Sequence, residues 1–398
     1  METYTHRRRW MGIDLANASV CLRMLIILAV LAACLPPQPC QAASYPFQFY
    51  YGAQIDLHGQ YPETAIDLAG DLKLDWISIE FDWAQHASTA ESAPSLDELS
   101  ATLQHARDRE LRVLIALSHP PAWALTENGP DPAATSRLAA AIAKLQPGLE
   151  LAIELFPAAN TVEGWHAAPD PTAYLNVFMQ TSQALQATGL PVQVITSLSP
   201  LSTNSNAADI RDVDFLHSLY QIDTASILST IGLRYPVLSG NPLDTPEQGA
   251  VPVLRHYETL RAVMLQHDRP GNQIWITGFS WPCPDQPSAP TSAQGQAEWL
   301  TQALELFKAQ LFIGAAFFIQ INPAESTLCT GNIPSLMIVN KENVSQVSLH
   351  PAYQALMNLT HATSIWSLES QPPLPPATGS ENQGHLKNLP VHKVQKIR

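Results

Sequence analysis

Residues 273–281 read Gln273-Ile274-Trp275-Ile276-Thr277-Gly278-Phe279-Ser280-Trp281, a mostly apolar run with a β-branched side chain at three of its positions. Its first seven residues, 273–279, suit a strand covered on both faces, because neither side has to stay polar for solvent. The pattern recurs toward the amino terminus at 226–233 (SILSTIGL), 192–198 (VQVITSL), 150–156 (ELAIELF), 112–118 (RVLIALS), 75–81 (DWISIEF) and 51–57 (YGAQIDL). One more run, 312–320 (FIGAAFFIQ), lies beyond it. Helical stretches fill the gaps. Residues 95–109 open with Ser95 and Glu98 in capping-box spacing, 171–187 open with Asp170 as cap and Pro171 in the first turn, and 293–309 are amphipathic. Eight strands alternating with helices over about 320 residues predict an α/β protein, a (β/α)₈ TIM barrel, rather than an open sheet. No glycine-rich nucleotide loop follows the first strand, and there is no internal repeat.

The chain holds 398 residues with 35 acidic and 21 basic side chains. The basic ones gather at the ends, so residues 34–367 carry 31 acidic against 13 basic side chains. A body this acidic repels nucleic acid and anionic lipid and tolerates a neutral ligand such as a glycan.

Residues 1–43 are predicted to be an export segment. Arg7, Arg8 and Arg9 precede the apolar run Met24–Leu35, which is too short to span a bilayer comfortably. The run contains Leu31-Ala32-Ala33-Cys34, which looks like a bacterial lipobox with Cys34 as the acylated thiol. Cleavage near Gln41-Ala42-Ala43, giving a secreted protein, and retention as an uncleaved anchor are the other readings. Membrane contact is expected only through this segment. Outside it the cysteines are Cys283 and Cys329, which an oxidising compartment would pair as a disulfide; two free thiols is the alternative. No Cys/His spacing suits zinc, and no metal or cofactor is expected. Residues 368–398, rich in Pro, Ser and Gln, are predicted to be a disordered tail, leaving 44–367 for the barrel.

In a barrel of this kind the working residues lie at the carboxyl ends of the strands. Read there, the sequence offers His58 after the first strand, Asp82 and Trp83 after the second, and His119 with Trp123 after the third. The fourth brings Glu154 and Phe156, with Asn160, Glu163 and Trp165 in its loop. Arg234 and Tyr235 follow the sixth, Trp281 the seventh, and Gln320 and Asn322 the eighth. Aromatic rings at such rims stack on the apolar faces of sugars, or they pack loops; sequence leaves both open.

The segment 273–281 resembles the seventh strand, x-I-W-I-T-E-F-G-W, of the clan A glycoside hydrolases. Ser118-His119-Pro120-Pro121-Ala122-Trp123 resembles their third-strand s-x-P-x-W. Asp212-Val213-Asp214-Phe215-Leu216 and His350-Pro351-Ala352-Tyr353-Gln354-Ala355-Leu356 match linking segments of cellulase- and xylosidase-like bacterial members. The likeness covers roughly residues 50–358 and implies a glycan ligand. It also implies two glutamates about 5 Å apart, a proton donor after the fourth strand within W-N-E-P and a nucleophile on the seventh. Here those positions fall on Phe156 and Gly278, and the histidine usual after the sixth strand is Arg234. The resemblance therefore predicts a catalytically degenerate, carbohydrate-binding barrel. An active hydrolase with relocated carboxylates (Glu154, Asp82 or Glu163) and a purely structural scaffold are the alternatives.

Overall fold

Eight parallel strands close on themselves, the first pairing with both the second and the last. The computed structural model describes residues 48–87, 89–90, 94–201, 205–235, 237–238, 240–246, 252–282, 292–322, 329–330, 333–339 and 347–366. The strands are β1 (Tyr50–Ile55), β2 (Trp76–Asp82), β3 (Arg112–Ser118), β4 (Leu151–Leu155), β5 (Val192–Leu198), β6 (Thr230–Arg234), β7 (Gln273–Phe279) and β8 (Ile313–Phe318). Helices α1 (Pro62–Asp71), α2 (Asp97–Asp108), α3 (Pro132–Ala143), α4 (Pro171–Thr188), α5 (Asp212–Ile222), α6 (Tyr257–Gln266), α7 (Ala293–Lys308) and α8 (Pro351–Trp366) alternate with them. The expected (β/α)₈ barrel is present.

Two apolar clusters hold it. The larger lies between the strands and the helix ring. The smaller fills the amino-terminal part of the barrel interior with Trp76, Leu114, Ala152, Ile195, Trp275, Ala315 and Phe317. Trp76 and Trp275 meet edge to face at 5.1 Å, and Phe317 packs 6.1 Å from Trp275. Side chains two apart on a strand share a face. Ala152, Ile195 and Trp275 in the plug therefore place Glu154, Ser197 and Thr277 one layer higher, toward the carboxyl ends.

Strands β3, β5 and β7 match their predicted ranges. The sixth begins four residues late: the Asp223 carboxylate accepts the main-chain N–H groups of Ile227 and Leu228, and Ser226 has a positive φ of 56°. That turn uses up residues whose composition alone reads as strand. The cap expected at Ser95 is also corrected. Its N–H donates to His86 O (2.8 Å), and α2 starts after Leu96 without a side-chain cap. Asp170 does cap α4, accepting from Thr172 N and Ala173 N.

The export segment with Cys34, the tail 368–398, Cys283 and the side chain of Cys329 all lie outside the described residues, and the disulfide with them. Among the described residues no helix is long and apolar enough to cross a membrane. Likewise no cluster of three or more His, Cys, Asp or Glu side chains among them is arranged to hold a metal ion.

Candidate functional site

A cleft of about 260 Å³ opens at the carboxyl ends of the strands. Its lining includes Glu80 from β2, Ser118 and His119 from the end of β3, Pro157, Ala158, Glu163 and His166 from the loop after β4, and Arg234 from the end of β6. Local chemistry positions each. Thr161 caps the one-turn helix Val162–Trp165 by accepting from Gly164 N, and Asp209 Oδ1 accepts from Val162 N (2.7 Å). Gly164 is required there, because a Cβ would stand 2.2 Å from Pro157 O. The result is an exposed Glu163 at the cleft edge, with His166 closing the turn in a left-handed conformation (φ 59°).

Four of the nine non-glycine residues with positive φ among the described residues are His119, Phe156, Ala158 and His166, all in or against this cleft. Such backbone costs energy and persists where surrounding structure enforces it, which is common at ligand sites.

The floor of the cleft is a charge relay from inside the barrel. Glu154 is fully buried. Its Oε1 accepts from Ser197 Oγ (2.7 Å) and Thr277 Oγ1 (2.6 Å). Its Oε2 has no hydrogen-bond partner and faces Arg234 Nη1, itself unbonded, across 3.9 Å. Arg234 continues outward, donating through Nη2 to Gln54 Oε1 (2.9 Å) and lying 3.6 Å from Glu80 Oε2. Burial pushes the Glu154 carboxyl up from its ordinary 4.5; Arg234 and the two hydroxyl donors oppose that without reversing it.

Near the third strand, His119 Nδ1 lies 3.1 Å from Ser118 Oγ, 3.6 Å from Asp82 Oδ2 and 3.9 Å from Glu80 Oε1. The His119 and His166 rings meet edge to face at 5.6 Å. Burial, and secondarily His119, hold His166 below the ordinary imidazole value.

The expected positions for the two glutamates are sealed. Phe156 is fully buried and packs edge to face on Trp165 (5.8 Å), so it does not line the cleft; Pro157 and Ala158 do. A Cβ on Gly278 would stand 2.8 Å from Ile319 Cδ1 and 3.2 Å from Arg234 Cγ. A side chain at 278 would have to displace the tip of Ile319 and crowd Arg234.

The rim aromatics divide. Trp83, Trp165 and Trp281 are buried, corrected from candidate stacking surfaces to packing residues. Trp165 Nε1 donates to Asn128 O and Trp281 Nε1 to Gly240 O, fixing loops from within. Trp123 packs edge to face on Trp83 (5.5 Å) in a separate outer groove with α3. Tyr235 is buried, its hydroxyl donating to Leu254 O, with its edge on the cleft. Asn160 is likewise structural: its amide donates to Ser199 O and Ile210 O and accepts from Ser199 N. Asn322 clamps the loop after β1 through Asp56 O and Gln60 O. His58 is exposed and Gln320 buried, and neither lines the cleft. Asp82 sits beside it and caps the turn Trp83–His86, accepting from Gln85 N (3.3 Å). Sequence reasoning missed Gln54, Ala158, His166 and Ser199, and named Ser118 only within the third-strand motif. Only His166, a histidine in the loop after β4, carried a signal that could have been found.

Solved structures with this architecture are numerous. A β-glycosidase, BGL167, superposes with a TM-score of 0.55 over 83% of this chain and 99% of that one, at 12% identity. A family 39 glycoside hydrolase from Bacteroides cellulosilyticus WH2 gives 0.56 at 12% identity, covering 78% of this chain and 63% of its own. A β-glycosidase from Pyrococcus horikoshii gives 0.52 at 12% identity, over 78% and 93%. The fold is the (β/α)₈ barrel that these structures share. No family model matches the sequence, and no curated protein resembles it in sequence. Identity this low carries the architecture only. The resemblance segments themselves serve that architecture: Asp212 is buried 2.6 Å from His256 Nε2, and His350 Nδ1 accepts from Ala352 N at the start of α8.

Proposed function

We propose that this chain is a carbohydrate-binding barrel that keeps the glycosidase scaffold and has lost its two-carboxylate chemistry. One observation carries the reading. Glu154, the carboxylate of β4, is sealed beneath Arg234 and meets Thr277 on β7, and the residue after it, Gly278, has no side chain and would press on Ile319 and Arg234 if it had one. A retaining mechanism needs two carboxyl groups in contact with one sugar. Neither Phe156 nor Gly278 can supply one, and Glu154 does not reach the cleft. The glycosidase-like neighbours and the cleft at the carboxyl ends of the strands support a glycan as ligand. The export-like segment 1–43, with its lipobox-like Cys34, supports display outside the cytoplasm, anchored or secreted.

Calorimetric titration with a set of oligosaccharides, run beside hydrolysis assays on aryl glycosides, tests this. Saturable binding with no turnover is expected. Robust turnover that survives substitution of Glu154 and Asp82 would remove its support.

A second reading, hydrolysis by relocated carboxylates, has a specific observation in its favour. Glu80, Asp82, His119 and Glu163 gather at the cleft, where a histidine between carboxylates suits proton transfer. It requires measurable turnover that Glu80→Gln or Glu163→Gln abolishes.

A further inference from the structure

On the outer helix ring, where α6 leads into β7 and away from the cleft, two imidazoles face each other. His217 from α5 and His267, just past the end of α6, place Nδ1 and Nε2 2.8 Å apart. Their ring centroids are only 4.5 Å apart at an interplanar angle of 70°, so the rings do not lie on a straight line through the two nitrogens. Each ring is held from behind. That of His267 packs on Tyr220 at 5.5 Å, and Asn272 Nδ2 fixes Tyr220 by donating to its hydroxyl (2.9 Å). His217 Nε2 lies 2.8 Å from the Gln221 side-chain amide. His217 is exposed and His267 half-buried, so the pair is open to solvent.

We infer that His217 Nδ1 and His267 Nε2 together bind a divalent transition-metal ion of the class that imidazole suits, such as Zn²⁺, Ni²⁺ or Cu²⁺. Imidazole nitrogens sit about 2.0–2.1 Å from zinc, so two at neighbouring positions of one ion stand about 2.9–3.4 Å apart. The 2.8 Å spacing is close to that. A hydrogen bond between imidazoles needs one N–H and one bare nitrogen, whereas metal binding needs both bare. The His217 proton then sits on Nε2 and the Gln221 amide oxygen accepts it, the orienting partner that a metal-bound histidine usually has. Charge favours a cation here. The carboxyl end of α6 carries partial negative charge, Asp268 follows His267, and the chain bears a formal −14. Arg269 is engaged elsewhere, donating through Nη2 to Asp223 O (3.0 Å) with its guanidinium over the Tyr220 ring. Among the described residues no third His, Cys, Asp or Glu completes the set, so water takes the ion's remaining positions. The bound ion ties α5 to α6. The inference is independent of the carbohydrate reading.

The experiment titrates the full chain, free of any polyhistidine tag, with Zn²⁺, Ni²⁺ and Mg²⁺ by calorimetry at mildly alkaline pH. It is repeated with His217→Gln and with His267→Gln. One Zn²⁺ or Ni²⁺ per chain is expected to bind through this pair, and Mg²⁺ is not. Either substitution should remove that one site from the isotherm, and Gln221→Ala should weaken it about tenfold. Zn²⁺ should also raise the unfolding midpoint of the unmodified chain more than that of either variant, because only the folded chain brings the two rings together. No saturable binding, or an isotherm unchanged in both variants, would overturn the inference. Loss of the site in only one variant would overturn it too, since a single histidine would then be the ligand. Should the variants fold poorly, electron paramagnetic resonance of the unmodified chain with less than one equivalent of Cu²⁺ decides the matter. Hyperfine structure from two bound imidazole nitrogens is expected, and structure from one or none would overturn the inference.

Discussion

The two sides of the barrel mouth follow opposite designs. On the β4–β7 side, Phe156 packs into the outer core against Trp165, and Glu154 lies in the barrel interior beneath Arg234 with its proton affinity raised by burial. On the β2–β3 side and in the loop after β4, Glu80, Asp82, His119 and Glu163 keep part of their charge in reach of solvent and ligand. Acidic groups are present on both sides, and access separates them. A buried carboxylate serves the fold, whereas one at a cleft edge can serve a ligand. The proposed loss of two-carboxylate chemistry rests on this contrast.

This contrast can be broken from the sealed side first. Phe156→Ala removes a fully buried ring packed on Trp165 and should cost about 3–5 kcal/mol in denaturant unfolding. A loss under 1 kcal/mol would mean that the ring is not buried as described. Gly278→Glu, which puts a carboxylate back on β7, should destabilise by about 1–3 kcal/mol through collision with Ile319 and Arg234. It should produce no glycosidase activity. Thr277→Val withdraws one of two hydroxyls from Glu154 Oε1 and should cost about 1–3 kcal/mol. On the open side, Glu163→Gln and His119→Gln should change stability by no more than about 0.5 kcal/mol while altering ligand affinity.

The pH dependence sharpens the same point. The folded-state pKa of Glu154 is raised above its unfolded value, so the folded form holds that proton more tightly. The stability linked to it is full below the ordinary 4.5 and is lost as pH rises from there through the folded value. Glu154→Gln carries no such proton. Its stability relative to the unmodified chain should therefore rise with pH across that window, read as a shift in denaturant midpoint. A flat difference would place Glu154 in a solvated setting.

Much of the fold was legible because apolar runs covered on both faces read alike wherever they occur; Arg112–Ser118 and Gln273–Phe279 needed no adjustment. The lead-in to β6 was misread because the Asp223 side chain, four and five residues earlier, takes up the backbone N–H groups of Ile227 and Leu228 in a turn. Glu154 was read as a residue at the carboxyl end of the fourth strand, and the structure buries it in the barrel interior. Its partners Ser197, Thr277 and Arg234 come from three other strands and carry no local signal. The rim tryptophans were undecidable for a related reason. A ring at a strand end packs a loop or meets a sugar according to where the next loop folds, and Trp83, Trp165 and Trp281 all went inward.

The most direct trial of the account measures binding and bond cleavage on one sample: calorimetry with a set of oligosaccharides, followed by a reducing-end assay of the same mixtures. The account predicts saturable heat with no new reducing ends beyond a protein-free control. Sustained release of reducing ends that disappears in Glu80→Gln or Glu163→Gln would contradict it, because carboxylates at the cleft would then be doing the chemistry.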